Sequence, residues 1–158
     1  MTDSALISGV SVSHTSASID DIEAVCSLSE REAVEHLAAQ SDVEEAFVLQ
    51  TCNRAEAYVV TEEEARGREV LADYAAAAPA ETARDLDHEE SLEQLLRVAC
   101  GLESLIVGED QILGQLRSAY DTARTAGAVG PVLDDALLKA LHVGERARTE
   151  TGINEGIV

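Results

Sequence analysis

The chain has 158 residues, enough for one domain or one domain with an appendage, and 46% of them are hydrophobic, although aromatic residues are only 3%, so Ala, Val, Leu and Ile must fill the core. Thirty-one acidic residues stand against 11 basic ones, a net charge of -20, and Lys139 is the single lysine. Acids spread so evenly read as a halophilic, solvated surface for molar salt, where the Debye length falls to about 3 Å, and they argue against a conventional basic patch for nucleic acid.

Residues 5–12 are apolar and β-branched and predict an opening strand. Ser29 and Glu32 have capping-box spacing ahead of Ala33, Val34, Leu37 and Ala38, which predicts an amphipathic helix. Residues 43–50 and 55–61 are strand-like, with a short loop at 51–54, and predict a hairpin. Thr61 and Glu64 repeat the capping-box spacing before an Ala-rich helix reaching about Ala78 and Pro79. The polar stretch 80–88 has room for a short edge strand.

From Ser91 the pattern is helical, with Leu92, Leu95, Leu96, Ala99 and Leu102 in period. A further helix over 109–126 carries Ile112, Leu116, Ala119 and Ala123 on one side. After Gly127, Gly130 and Pro131, a last helix has Leu133, Leu137, Leu141 and Gly144 on its inner stripe. The expected class is α+β: a small antiparallel sheet with packed helices in the ferredoxin-like order βαββαβ, followed by additional C-terminal helices.

No run approaches the roughly 20 apolar residues of a membrane span, and the start MTDSALISGV lacks the marks of a signal peptide. A soluble, cytoplasmic protein is expected. Cys26, Cys52 and Cys100 are odd in number and widely spaced, which argues against a disulfide framework and against a metal site.

Two stretches carry chemistry. In 49–60, LQTCNRAEAYVV, Cys52 lies between two strands. A cysteine at a strand end is more often a small buried hydrophobe. Against that, Arg54 stands two residues on, and a neighbouring positive charge favours the thiolate. Thr51 and Asn53 make the loop polar, a setting that exposes a nucleophile. In 101–117, Gln111 and Gln115 are four apart and share a helix face, with Glu109 at the helix start. Taken alone, that pattern reads as a solvated face with a capping acid.

Together the segments TCNRAEAY (51–58) and RVACGLESLIVGEDQILGQLRSAY (97–120) closely resemble signature segments of the glutamyl-tRNA reductase family. Residues 9–15, GVSVSHT, and 144–156, GERARTETGINEG, extend the resemblance over almost the whole chain. It is a resemblance to the family's N-terminal catalytic domain, expected over 1–145, with 146–158 as the start of a linker. The family continues into an NADPH-binding domain and a helical dimerisation domain, and no G-x-G-x-x-G follows a strand here. The chain therefore reads as a fragment.

The resemblance implies NADPH-dependent reduction of glutamyl-tRNA to glutamate-1-semialdehyde, the first step of tetrapyrrole (porphyrin) biosynthesis, through a cysteine thioester. It makes Cys52 the nucleophile and places Thr51, Asn53, Arg54, Ser104, Glu109, Asp110, Gln111 and Gln115 at substrate-contacting positions. It implies a homodimer in the full-length protein, the downstream aminomutase as a partner, and no metal. Alone, the fragment would be at most an esterase.

One departure stands out. Gln94 occupies the position of the family's activity-related histidine, ten residues before Ser104. Glutamine hydrogen-bonds but moves no proton near neutral pH. Either the role is orienting, or His14 or His88 substitutes, or the reaction relies on water; both histidines read more readily as structural or solvated. The departure keeps an alternative open, a non-catalytic module that binds charged tRNA or a partner.

Overall fold

The structure, a computed structural model, describes residues 5–102 and 111–151. The elements run β1 (Leu6–Ser13), α1 (Ile19–Val25), α2 (Glu30–Ala38), β2 (Glu45–Thr51), β3 (Arg54–Thr61), α3 (Glu64–Tyr74), β4 (Ala83–Leu86), α4 (His88–Ala99), α5 (Gln111–Thr125) and α6 (Pro131–Thr151). The four strands form one antiparallel sheet in the order β2-β3-β1-β4. This is the expected α+β class with ferredoxin-like strand order, and the extra helices follow it.

Strand register decides what each face carries, because alternate residues point to opposite sides. Paired residues Gly9 and Tyr58, Ser11 and Glu56, and Ser13 and Arg54 share one face, and Arg84 and Leu86 of β4 join them. Val10, Val12, Ala55, Ala57 and Val59 share the other. The helices α1, α2 and α3 cover the second face, whereas α4, α5 and α6 cover the first. With helices on both sides, every residue of β3 is buried. Its polar residues Arg54 and Glu56 are therefore interior groups, although a strand with one wet face would have left them in water.

The edge strand β2 is closed off by side chains and loops. Ala46 N–H donates to the Ala128 carbonyl at 2.9 Å, and Gln50 N–H donates to Glu30 Oε2 at 2.7 Å. Such pairing blunts an edge that would otherwise template aggregation. At the other end of β2, Glu45 is only 4% exposed and accepts three backbone N–H bonds at the start of α6. Gly130 N and Leu133 N reach Oε1 at 2.9 and 2.8 Å, and Val132 N reaches Oε2 at 3.1 Å. A carboxylate here satisfies orphan donors and complements the positive helix end. Glu45→Ala should therefore lower unfolding free energy by about 2–3 kcal/mol, with Glu45→Gln intermediate, as read from urea midpoints in molar KCl.

Three expectations shift at helix starts, and α3 ends at Tyr74, four residues short of the expected Ala78. The helix α1 was not anticipated, although Ser18 and Asp21 form a capping box; it buries only Ile22 and Val25. The box expected at Thr61 does not form, because Thr61 ends β3 and its hydroxyl donates to the Glu63 carbonyl at 2.7 Å. The helix α4 starts three residues before Ser91, capped by Asp87 with Glu90. The box at Ser29 and Glu32 forms as expected. On the inner stripe of α6, Gly144 lets α4 approach closely: a Cβ there would lie 2.6 Å from the Ala99 carbonyl oxygen.

Candidate active site

The register pairs Thr51 with Arg54, so the hairpin turns on two residues, Cys52 and Asn53. Neither has the left-handed backbone that two-residue hairpin turns usually require. The turn is held instead by neighbours. Asn53 N–H donates to Thr51 Oγ1 at 3.1 Å, and the Asn53 carbonyl accepts His14 N–H at 3.0 Å. Cys52 is thus presented at the tip of a hairpin whose base is fully buried, and it is exposed.

The tip faces the first turn of α5. Thr51, Cys52, Asn53, Arg54, Gln111, Ile112 and Gln115 line a cleft of about 50 Å³. Gln111 and Gln115 stand one turn apart on the exposed side of α5, whereas Ile112 is buried. Five of the site residues singled out in the sequence, Thr51, Asn53, Arg54, Gln111 and Gln115, therefore share one cleft with the Cys52 thiol. Ser104, Glu109 and Asp110 lie outside the described residues. A larger depression of about 380 Å³ is walled by Asp42, Glu44, Glu62, Glu63 and Arg66, and it holds no nucleophile.

Arg54 lines the cleft from its inner side. It is only 2% exposed, and its NH1 lies 3.2 Å from Glu56 Oε2. The guanidinium is therefore already engaged by a carboxylate on its inner side. Glu56 is itself fully buried and is the centre of a polar layer beneath the hairpin. Its Oε2 accepts Ser11 Oγ at 2.7 Å and Gln94 Nε2 at 2.8 Å, and its Oε1 accepts the Tyr58 hydroxyl at 2.8 Å. Burial first, then the adjacent Glu56 carboxylate, hold the Tyr58 hydroxyl well above its ordinary value, so it stays a donor. Gly9 makes room for that ring, since a Cβ there would lie 2.7 Å from it.

Gln94 does not line the cleft. It sits on α4 behind Glu56, 2% exposed. His88 takes a structural bond, its Nδ1 accepting Ile7 N–H at 3.0 Å. Ile7 is six residues from Ser13 along β1, so His88 lies roughly 20 Å from the thiol end of the strand and cannot replace a group there. His14 adjoins the loop through its backbone, and its half-buried ring leaves Nδ1 without a hydrogen-bond partner.

Sequence reasoning missed Glu56, Tyr58, Ser11 and Arg84. The available signal was the alternation Arg54, Glu56, Tyr58 inside a strand, which places three polar groups on one face.

The other cysteines differ from Cys52. Cys26 is half-buried against the core, and its thiol is pushed up to about 11, by burial first and then by Glu30 and Glu23. At pH 8 a thiol with that value is roughly 0.1% thiolate, and the fraction rises with pH. Iodoacetamide at pH 8 should label Cys52 well before Cys26, with Cys26 catching up only as pH nears 11, as read by peptide mass mapping.

The fold and cleft define a class: an α+β domain that presents an exposed thiol on a hairpin tip, against two glutamines and an arginine. Residues 10–151 match the family model described as glutamyl-tRNA(Glu) reductase, N-terminal domain. The chain is 60% identical over 153 residues to a glutamyl-tRNA reductase of Natronomonas pharaonis, covering 97% of this chain and 34% of that protein. It is 56% identical to the one from Haloarcula marismortui, covering 99% of this chain and 35% of the relative. The solved structure of glutamyl-tRNA reductase from Methanopyrus kandleri superimposes with a TM-score of 0.82 at 33% identity, over 91% of this chain and 34% of that one. The chain belongs to the family of glutamyl-tRNA reductase N-terminal domains, and it spans about a third of the length of the curated relatives it matches.

Proposed function

We propose that this chain provides the acyl-accepting site of a glutamyl-tRNA reductase, with Cys52 as nucleophile. The supporting observation is the exposed Cys52 at the tip of a rigid hairpin, opening onto a cleft shared with Arg54, Gln111 and Gln115. The Cys52 thiolate attacks the ester carbonyl of glutamyl-tRNA. The bond to the terminal ribose oxygen breaks, that oxygen takes a proton from water, and glutamate stays on sulfur as a thioester. Arg54 binds the acidic glutamyl side chain from the inner wall, and its planar fork suits a carboxylate. Gln111 and Gln115 bind the amino group and carbonyl edges, with Thr51 and Asn53 holding the loop. Ser104, Glu109 and Asp110 complete the glutamyl site.

The whole reaction is NADPH-dependent reduction to glutamate-1-semialdehyde, with NADPH supplying the hydride. The described residues do not fit a dinucleotide: no glycine-rich turn leads from a strand into a helix, so the cofactor belongs to a part beyond the matched third. Residues 1–145 serve as the catalytic domain, and 146–158 begin a linker, with α6 crossing that boundary as one helix. The complete enzyme works as a cytoplasmic homodimer and hands its aldehyde to an aminomutase. Among the described residues no helix is long and apolar enough to cross a membrane, and no cluster of metal ligands is present.

The test is to incubate the chain with glutamyl-tRNA carrying labelled glutamate. Release of label faster than in buffer, slowed by Gln111→Ala with Gln115→Ala, supports the assignment. Release at the buffer rate contradicts it.

A further inference from the structure

Gln94 is buried on α4, far enough inside that it does not reach the cleft, yet both ends of its amide are engaged. Nε2 donates to Glu56 Oε2 at 2.8 Å, and Oε1 accepts Arg84 NH1 at 3.4 Å. The neighbours fix this orientation: a flipped amide would set its oxygen against a carboxylate and its NH₂ against a guanidinium. An amide suits this place because it offers a donor to an anion and an acceptor to a cation while carrying no charge. The same carboxylate oxygen, Glu56 Oε2, also holds Arg54 NH1 at 3.2 Å. Arg84, Gln94, Glu56 and Arg54 thus form a continuous chain from β4 to the wall of the Cys52 cleft.

We propose that Gln94 is a positioning residue: by fixing the Glu56 carboxylate it holds the Arg54 guanidinium in place for the glutamyl side chain. This rests on the reading of the cleft given above for its consequence in catalysis, but not for its structural part. Gln94 acts in binding and takes no proton. It offers the Glu56 carboxylate a strong donor, and a hydrogen bond to a buried charge is among the more valuable kinds.

The test uses three variants of the 158-residue chain. Gln94→Met is neutral and of similar length but has no donor. Gln94→Glu has the same shape and sets a second carboxylate beside Glu56. Gln94→His restores an N–H donor. Thermal melts identify variants that remain folded, and two readouts follow. In the first, the concentration of glutamyl-tRNA giving half-maximal glutamate release should rise about tenfold in Gln94→Met while the maximal rate stays within about threefold. In the second, the ¹⁵N guanidinium signals of Arg54 should broaden in Gln94→Met and Gln94→Glu and recover in Gln94→His. A folded Gln94→Met chain with unchanged Arg54 signals overturns the proposal. If the parent chain releases no glutamate, the reading of the cleft fails, and the Arg54 signals still decide whether Gln94 positions that guanidinium.

Discussion

Cys52→Ser should reduce release of glutamate from glutamyl-tRNA by about a thousandfold or more, because serine lacks both the acidity and the nucleophilicity of a thiol. The fold should be unaffected. Cys52 is exposed at a two-residue tip, and the bonds that hold the tip run through Thr51, Asn53 and His14. The loss would therefore be chemical. Cys26→Ser and Cys100→Ser provide the contrast, since both residues are partly buried and neither lines the cleft. Release that persists in Cys52→Ser would move the nucleophile elsewhere.

Glu56→Leu should have the largest effect on stability, a loss of about 3 kcal/mol or more, measured by urea unfolding in molar KCl. Glu56 is fully buried, and its carboxylate serves Ser11, Arg54, Tyr58 and Gln94 at once. Leucine would leave three neutral donors without this acceptor and the Arg54 guanidinium without this carboxylate. Removing one partner of a buried pair typically costs 3–5 kcal/mol, because a buried charge is left uncompensated. Glu56→Gln keeps the shape and one acceptor oxygen, so it should fall between the parent and Glu56→Leu. A loss below about 1 kcal/mol in Glu56→Leu would show that the polar layer is hydrated or rearranges freely.

The hairpin, the helix after Ser29 and the C-terminal helices were legible because each rests on a local signal. For the hairpin it was two β-branched runs around a polar tetrad; for the helices it was the spacing of Leu133, Leu137 and Leu141 or of Ile112 and Leu116. Local signals alone left Cys52 a minority candidate and read Gln111 and Gln115 as a solvated helix face; it was the resemblance that joined them across some sixty residues. What local pattern could not carry was burial. Whether Arg54 and Glu56 face water depends on α4, α5 and α6 closing over that side of the sheet, a fact about tertiary packing. Nor could the sequence show that Glu45 caps a helix beginning more than eighty residues later. The role of Gln94 belongs to the same kind. In the sequence it marked a missing proton carrier and left an orienting role as one reading among several, and in the fold it bridges an anion and a cation.

The short helix α1 illustrates a different limit. Its Ser18–Asp21 box is as good a start signal as Ser29–Glu32, but two buried apolar residues make too little of a periodic stripe to read. The Thr61 box failed in the opposite way. The spacing was present, but the ladder with β1 runs through Thr61, paired with Leu6, so strand pairing took the residue first.

If glutamate passes from tRNA onto the Cys52 sulfur, the intact mass of the chain records the transfer. The chain is mixed with glutamyl-tRNA, quenched in acid within seconds to preserve a thioester, and examined by mass spectrometry with peptide mapping. The expected result is an added mass of one glutamyl group, located on the peptide containing Cys52, removed by hydroxylamine and absent from Cys52→Ser. A chain that releases glutamate with no adduct, or carries the adduct on another residue, would contradict it.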